Sequence, residues 1–194
     1  MTDERKKSVQ NQLQRLFDRS LVLRFQAGDD TALEEIVAEM HDRLRRFLRN
    51  SFCLHSADID DLLQDVWVDA CHGLRFLRQP VSLRPWLYRV ARNKALKHLR
   101  RHTKMASLEN LQIPTTPSSE VGASGLSHAE FQIALNCLSA THREVVVLRF
   151  EEGLNYDEIA SAIQCPVGTV RSRLHYAKNI LREKLRRFTN DDKC

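Results

Sequence analysis

Between Pro114 and Ser127 ten of fourteen residues are Pro, Ser, Thr or Gly, and the only charge is Glu120. A stretch of this kind cannot bury enough apolar surface to offset its ordering entropy, so it reads as a linker. It divides the chain into two blocks. In the first, Asp29 and Asp30 precede Leu33, Ile36, Val37, Met40, Leu44, Phe47 and Leu48, whose intervals of three and four make one helical stripe. A second helix starts near Asp58 and carries Leu62, Leu63, Val66, Trp67, Ala70 and Leu74. Pro80 and Pro85 mark a loop, and a third helix runs from about Pro85 to Arg101. The second block reads as helices over Ser127–Leu138, Thr141–Glu151, Asn155–Ile163 and Pro166–Arg187. Gly153 suits a helix end, and Asn155 followed by Glu158 suits a capping box.

Six glycines, five prolines and few alternating runs favour an all-α chain of two small helical domains joined by a flexible linker. Hydrophobic residues at 42% build real cores, and 28% charge suits a soluble protein. The charges at Asp3, Glu4, Arg5, Lys6 and Lys7 have no apolar segment behind them, so no secretory signal is expected. No run approaches the ~18 apolar residues of a membrane span, and no direct membrane insertion is expected. The five cysteines, Cys53, Cys71, Cys137, Cys165 and Cys194, are scattered and read as reduced thiols. Cys53 with His55, or Cys71 beside His72, offers the beginnings of a metal or redox site that nothing else at ligand spacing completes. No metal and no cofactor is therefore expected.

The most specific motif lies in the second block. Tyr156–Ile163, a break at Gln164-Cys165-Pro166 and a helix from Val167 form a helix-turn-helix pattern. Val170, Leu174, Ala177 and Leu181 make the buried stripe of the second helix. Ser172, His175, Tyr176 and Asn179 stand on roughly the other side, flanked by Arg171 and Arg173, as base-edge readout requires. From Val170 to Arg187 seven Lys or Arg face one acid, Glu183, an excess suited to phosphate contacts.

In the first block, neighbouring helices reverse sign. Asp58 to Asp69 holds five aspartates and no base, whereas Trp86 to Lys104 holds seven Lys or Arg and no acid. Arg89, Arg92, Asn93, Lys97 and Arg100 share one face of the basic helix, opposite an apolar face of Leu87, Val90, Ala91, Ala95 and Leu99. Trp86 and Tyr88 sit at the mouth of the basic strip, where aromatic rings either stack on unpaired bases or belong to the core. The aspartates Asp58, Asp60, Asp61 and Asp65 admit a Mg²⁺ reading. Without a phosphate loop or general base, an exposed face for a basic partner is preferred, and no catalytic residue is expected.

Asp58–Val68, DIDDLLQDVWV, resembles the polymerase-binding helix of the sigma-70 family. Trp86–Arg101 resembles the promoter-melting helix of its extracytoplasmic-function (ECF) group, and Glu158–Ala177 resembles that group's minus-35-reading helix-turn-helix. The resemblance implies a non-enzymatic, cytoplasmic bacterial sigma factor with core RNA polymerase, promoter DNA and an anti-sigma factor as partners. It implies an N-terminal extension at 1–17, sigma region 2 at 18–104, a linker at 105–126, sigma region 4 at 127–188 and a tail at 189–194. Asp61, Leu62, Gln64 and Asp65 would dock on the polymerase's largest subunit. The loop from Phe76 to Ser82, with Phe76 and Arg78, would receive a flipped minus-10 base, and Trp86, Arg89, Arg92, Asn93 and Lys97 would meet that region's DNA. Arg171, Ser172, Arg173, His175 and Tyr176 would contact the minus-35 element. Lys97 stands where the group often has Asp, Tyr176 where it often has Arg, and Asp69 at a position often basic. Ser139-Ala140-Thr141 also lacks the usual proline. The runner-up reading is a free-standing helix-turn-helix regulator; a nucleic-acid-processing enzyme using the aspartates ranks third.

Overall fold

The computed structural model describes residues 2–78, 83–106 and 133–191, with side chains at 9–10, 12–78, 83–102 and 133–184. All regular structure among these residues is helical. The elements are α1 (Thr2–Gln26), α2 (Thr31–Phe52), α3 (Ser56–Leu74), α4 (Leu83–Ala106), α5 (Ala140–Val146, continued by a π-turn at Val147–Glu151), α6 (Tyr156–Ile163) and α7 (Val167–Asp191). The Pro/Ser/Thr/Gly stretch and residues 127–132 of the expected Ser127–Leu138 helix lie outside the described residues, and 133–136 are helical.

The expected boundary between residues 17 and 18 falls inside α1, which runs on into the first block. Leu21, Val22 and Phe25 of α1 are buried. The buried Asp18 carboxylate accepts hydrogen bonds from Arg84 Nε at 2.9 Å and Gln14 Nε2 at 3.0 Å. Gly28, at φ +96°, lets the chain reverse into α2. Asp29 Oδ1 accepts from the Thr31 amide at 3.1 Å, which ties down the start of that helix. Ala32, Ile36, Met40, Leu44, Phe47 and Leu48 then bury one stripe of α2. Each such large side chain contributes about 1.5–3 kcal/mol on leaving water.

Ile59, Leu62, Leu63, Val66, Ala70 and Leu74 form the buried face of α3. At its end Trp86 of α4 lies against Gly73, where an added Cβ would fall 2.5 Å from the Trp86 ring. Only glycine admits that approach. The expected helix start at Pro85 is corrected to Leu83. Pro85 fits because a first-turn residue needs no intrahelical N–H bond.

In the second block the Ser139 side chain accepts from the His142 amide and caps α5, so the missing proline has a substitute. Asn155 and Glu158 form both halves of the expected capping box on α6. Gln164, at φ 55°, ends α6 and starts the turn into α7.

The blocks share one apolar cluster, with α4 packed along α6 and α2 against α5. Charged groups line the seam. Glu152 is 3% exposed; its Oε2 accepts from Arg43 Nε at 3.1 Å and from the Tyr88 hydroxyl. Burial first, and the Glu152 charge second, hold the Tyr88 phenol well above its ordinary pKa, so it stays a donor. Arg15 reaches Glu158 at 2.8 Å, and Asn50 Nδ2 donates to Glu151 at 2.7 Å.

Candidate polymerase and nucleic-acid interfaces

The apolar stripe of α3 turns its acidic side outward. Asp61, Gln64 and Asp65 are exposed on one face, as expected, but Leu62 is only 6% exposed and packs inward. Leu62 therefore packs beneath this acidic face and does not form part of its exposed surface. Val68, 58% exposed, joins the face one turn beyond Gln64 and Asp65. The apolar stripe expected for this helix leaves Val68 out, and no charge or motif signal marked it as part of an exposed face. Lys94 of α4 pairs with Asp69 at 2.9 Å and approaches Asp65 at 3.8 Å. Asp69 thus faces the basic helix of its own chain.

Along α4 the expected DNA-contacting residues separate into two groups. Asn93 and Lys97 are exposed and Arg89 is half-buried. Arg92 is turned to the second block, where its Nε donates to Glu144 Oε1 at 2.6 Å with both side chains largely buried. Burial pushes the Glu144 carboxyl up from its ordinary value near 4.5, against the pull of Arg92 and then Arg173. The two aromatic rings belong to packing. Tyr88 is 1% exposed with its ring 5.1 Å from that of Phe47, and Trp86 packs against the core beside Gly73. Tyr88 offers no face to a base in this arrangement, whereas Trp86 stays partly exposed. Phe76 and Arg78 are exposed, Phe76 at 81%, while residues 79–82 of the expected loop lie outside the described residues.

The helix-turn-helix brings its predicted residues together. Val170, Leu174 and Ala177 are buried, which leaves Arg171, Ser172, His175 and Tyr176 exposed on α7 and Arg173 half-buried. The Arg171 guanidinium stands 6.0 Å from the Tyr156 ring centroid. The Ser172 hydroxyl donates to the Thr169 carbonyl at 3.0 Å. Asn179 Nδ2 and His175 Nε2 are 3.2 Å apart, and the rings of His175 and Tyr176 meet edge to face at 5.8 Å. Arginine, imidazole, hydroxyl and amide groups thus share one solvent-facing strip, the chemistry that reads base edges in a major groove.

Two family models match this architecture block by block. Sigma-70 region 2 covers residues 19–105 and Sigma-70 region 4 covers 134–183. The ECF RNA polymerase sigma-E factor of Haemophilus influenzae is 30% identical over 186 residues, spanning 89% of this chain and 97% of that protein. This chain is a sigma-70 family sigma factor of the ECF group. The sigma-E factor of Escherichia coli K12 is 28% identical over 185 residues, spanning 89% of this sigma factor and 96% of its own length. Solved structures of sigma factors are also similar to it. Sigma factor RpoE in complex with the anti-sigma factor NepR, from Bartonella quintana, gives a TM-score of 0.71 at 26% identity over 79% of this chain and 96% of that one. CnrH in complex with the cytosolic domain of CnrY gives 0.66 at 28% identity over 87% and 97%. As a sigma factor the chain is an initiation factor and not an enzyme. No described helix is long and apolar enough to cross a membrane.

Proposed function

We propose that this sigma factor binds core RNA polymerase through the outer face of α3, reads the minus-35 element with α7, engages and melts the minus-10 region with α4, and so starts transcription of a specific set of genes in the bacterial cytoplasm. The observation that carries the reading is the placement of Asp61, Gln64, Asp65 and Val68 on one exposed face, beside a basic helix and in the same chain as an exposed recognition helix. A face with acids around an apolar centre suits a basic, partly apolar partner surface. Arg89, Asn93 and Lys97 supply the minus-10 contacts, joined by Arg92 once its bond to Glu144 is exchanged for a phosphate. Arg171, Arg173, Ser172, His175 and Tyr176 supply those at minus-35. An anti-sigma factor is the inferred inhibitory partner, by analogy with the NepR complex.

A free-standing regulator remains the weaker reading, because it leaves the region 2 match over 19–105 without a role. The test is in vitro transcription with purified core polymerase, together with co-elution. Asp61→Ala combined with Asp65→Ala is expected to abolish co-elution with core while circular dichroism stays unchanged. Retention of full polymerase binding by that double variant would sink the assignment of the docking face. Tight operator binding with no polymerase-dependent transcript would favour the regulator.

A further inference from the structure

We propose that Asp58, His98 and His102 form a binding site for one divalent transition-metal ion of the zinc and cobalt class. His98 and His102 are four residues apart on α4, so they occupy one face on successive turns, and their ring centroids are 4.2 Å apart. Asp58 reaches them from the first turn of α3, with its Oδ1 3.7 Å from His98 Nε2. One ligand atom from each of the three side chains lies within 4.8 Å of the others.

Metal–nitrogen and metal–oxygen bonds of about 2.0–2.2 Å place neighbouring ligands of a tetrahedral ion about 3.4 Å apart. The Asp58–His98 separation is within a few tenths of an ångström of that value. A side-chain rotation of the exposed His102 closes the rest, without movement of either helix. Two imidazoles and one carboxylate select borderline divalent ions over Mg²⁺ or Ca²⁺, which prefer oxygen donors. The exposure of His102 leaves the fourth position to water.

The two helices that supply the ligands are already fixed, because Ile59 and Leu63 of α3 and Ala91 and Ala95 of α4 are buried in the shared core. The ion would therefore bind a largely preformed site and cross-link the start of α3 to the later turns of α4. Asp58 supplies the carboxylate of the trio, and Asp65 and Asp69 further along α3 offset the positive charge of Lys94 on α4. The site itself does not depend on the promoter-binding reading, although it stands three residues before Asp61 and next to Lys97.

The test titrates Co²⁺, then Zn²⁺, into the full-length reduced protein, following visible absorption and heat. One equivalent is expected to bind, with the d–d absorption of a nitrogen- and oxygen-ligated ion. Loss of an outer-shell partner typically weakens metal binding 10- to 100-fold. Loss of a ligand through His102→Ala should therefore weaken it at least ~100-fold, with Asp58→Asn acting in the same direction. His102 is exposed, so its replacement leaves the fold intact, as circular dichroism will check. His72→Ala is the control, since His72 is exposed on α3 and bonded to the Val68 carbonyl. Unchanged affinity in His102→Ala, a thiolate charge-transfer band placing the ion on cysteine, or no binding at all would each overturn the proposal.

Discussion

Helices α4 and α7 carry nearly the same density of positive charge in sequence, eight Lys or Arg on α4 and seven on α7 over about seven turns each, yet they hold that charge differently. On α4, Arg84 is bonded to Asp18 and Glu39, Arg92 to Glu144, and Lys94 lies between Asp65 and Asp69. On α7, Arg171 stands over a tyrosine ring in an exposed strip, and Lys178 lies 5.5 Å from the exposed Phe150 ring. The difference is one of burial. Helix α4 is packed by neighbours from both blocks, so its cations need carboxylate partners to leave water. Among the described residues, Arg171 and Lys178 on the outer face of α7 meet aromatic rings and remain exposed to water. A basic run in a sequence therefore reports charge, and only packing decides whether that charge is available to DNA.

The largest effect should come from breaking the seam that makes α4 different. Arg43→Met leaves the Glu152 carboxylate buried with Tyr88 as its remaining hydrogen-bond donor. Removing one partner of a buried pair costs about 3–5 kcal/mol. The lower end is expected here, because Arg43 is partly exposed and Tyr88 stays in place. Urea unfolding followed by circular dichroism measures it. A loss below about 1 kcal/mol would mean that the seam contributes little to stability, and the contrast between α4 and α7 would lose its energetic basis.

A smaller effect is expected on the open side of the comparison. Arg171→Ala should leave stability unchanged and lower promoter-specific transcription by about 1–3 kcal/mol, or roughly five- to 150-fold, if Arg171 contacts a base edge. The loss should fall on promoters that carry the contacted base. An equal loss on every promoter, with a salt dependence shallower by about one charge, would reassign Arg171 to a phosphate.

Much of this fold could be read from local pattern. The stripes of α2, α3 and α7, the helix-turn-helix and the Asn155–Glu158 capping box all depend on residues within a few turns of one another. The same is true of the exposed face holding Asp61, Gln64 and Asp65. What escaped was set by partners far along the chain. The tie between Asp18 and Arg84 joins α1 to α4 across 66 residues, both inside the expected 18–104 block, and no local pattern marked it. Tyr88 is core because Glu152, 64 residues on, accepts its hydroxyl, and Trp86 packs half-buried against the core because Gly73 leaves room for its ring. The metal-ligand trio was hidden for the same reason: the aspartate and the histidines lie on different helices.

The smallest effect concerns the pH response of the Arg92–Glu144 pair. Burial raises the folded-state pKa of Glu144 above its unfolded value. The folded chain therefore holds this proton more tightly than the unfolded chain does. Stability from this group is fully present below the unfolded pKa and falls as pH rises through the ordinary carboxylate range up to the folded pKa. Glu144→Gln keeps an oxygen that can accept from Arg92 and removes the titration. Wild-type stability minus variant stability should thus decline as pH is raised from about 4 towards neutrality. Thermal unfolding of both proteins across that range measures it. A difference that instead grows with pH would show that attraction to Arg92 and Arg173 outweighs desolvation at Glu144. The seam would then resemble an ordinary surface pair, and α4 would differ from α7 in the number of its partners and not in the cost of holding them.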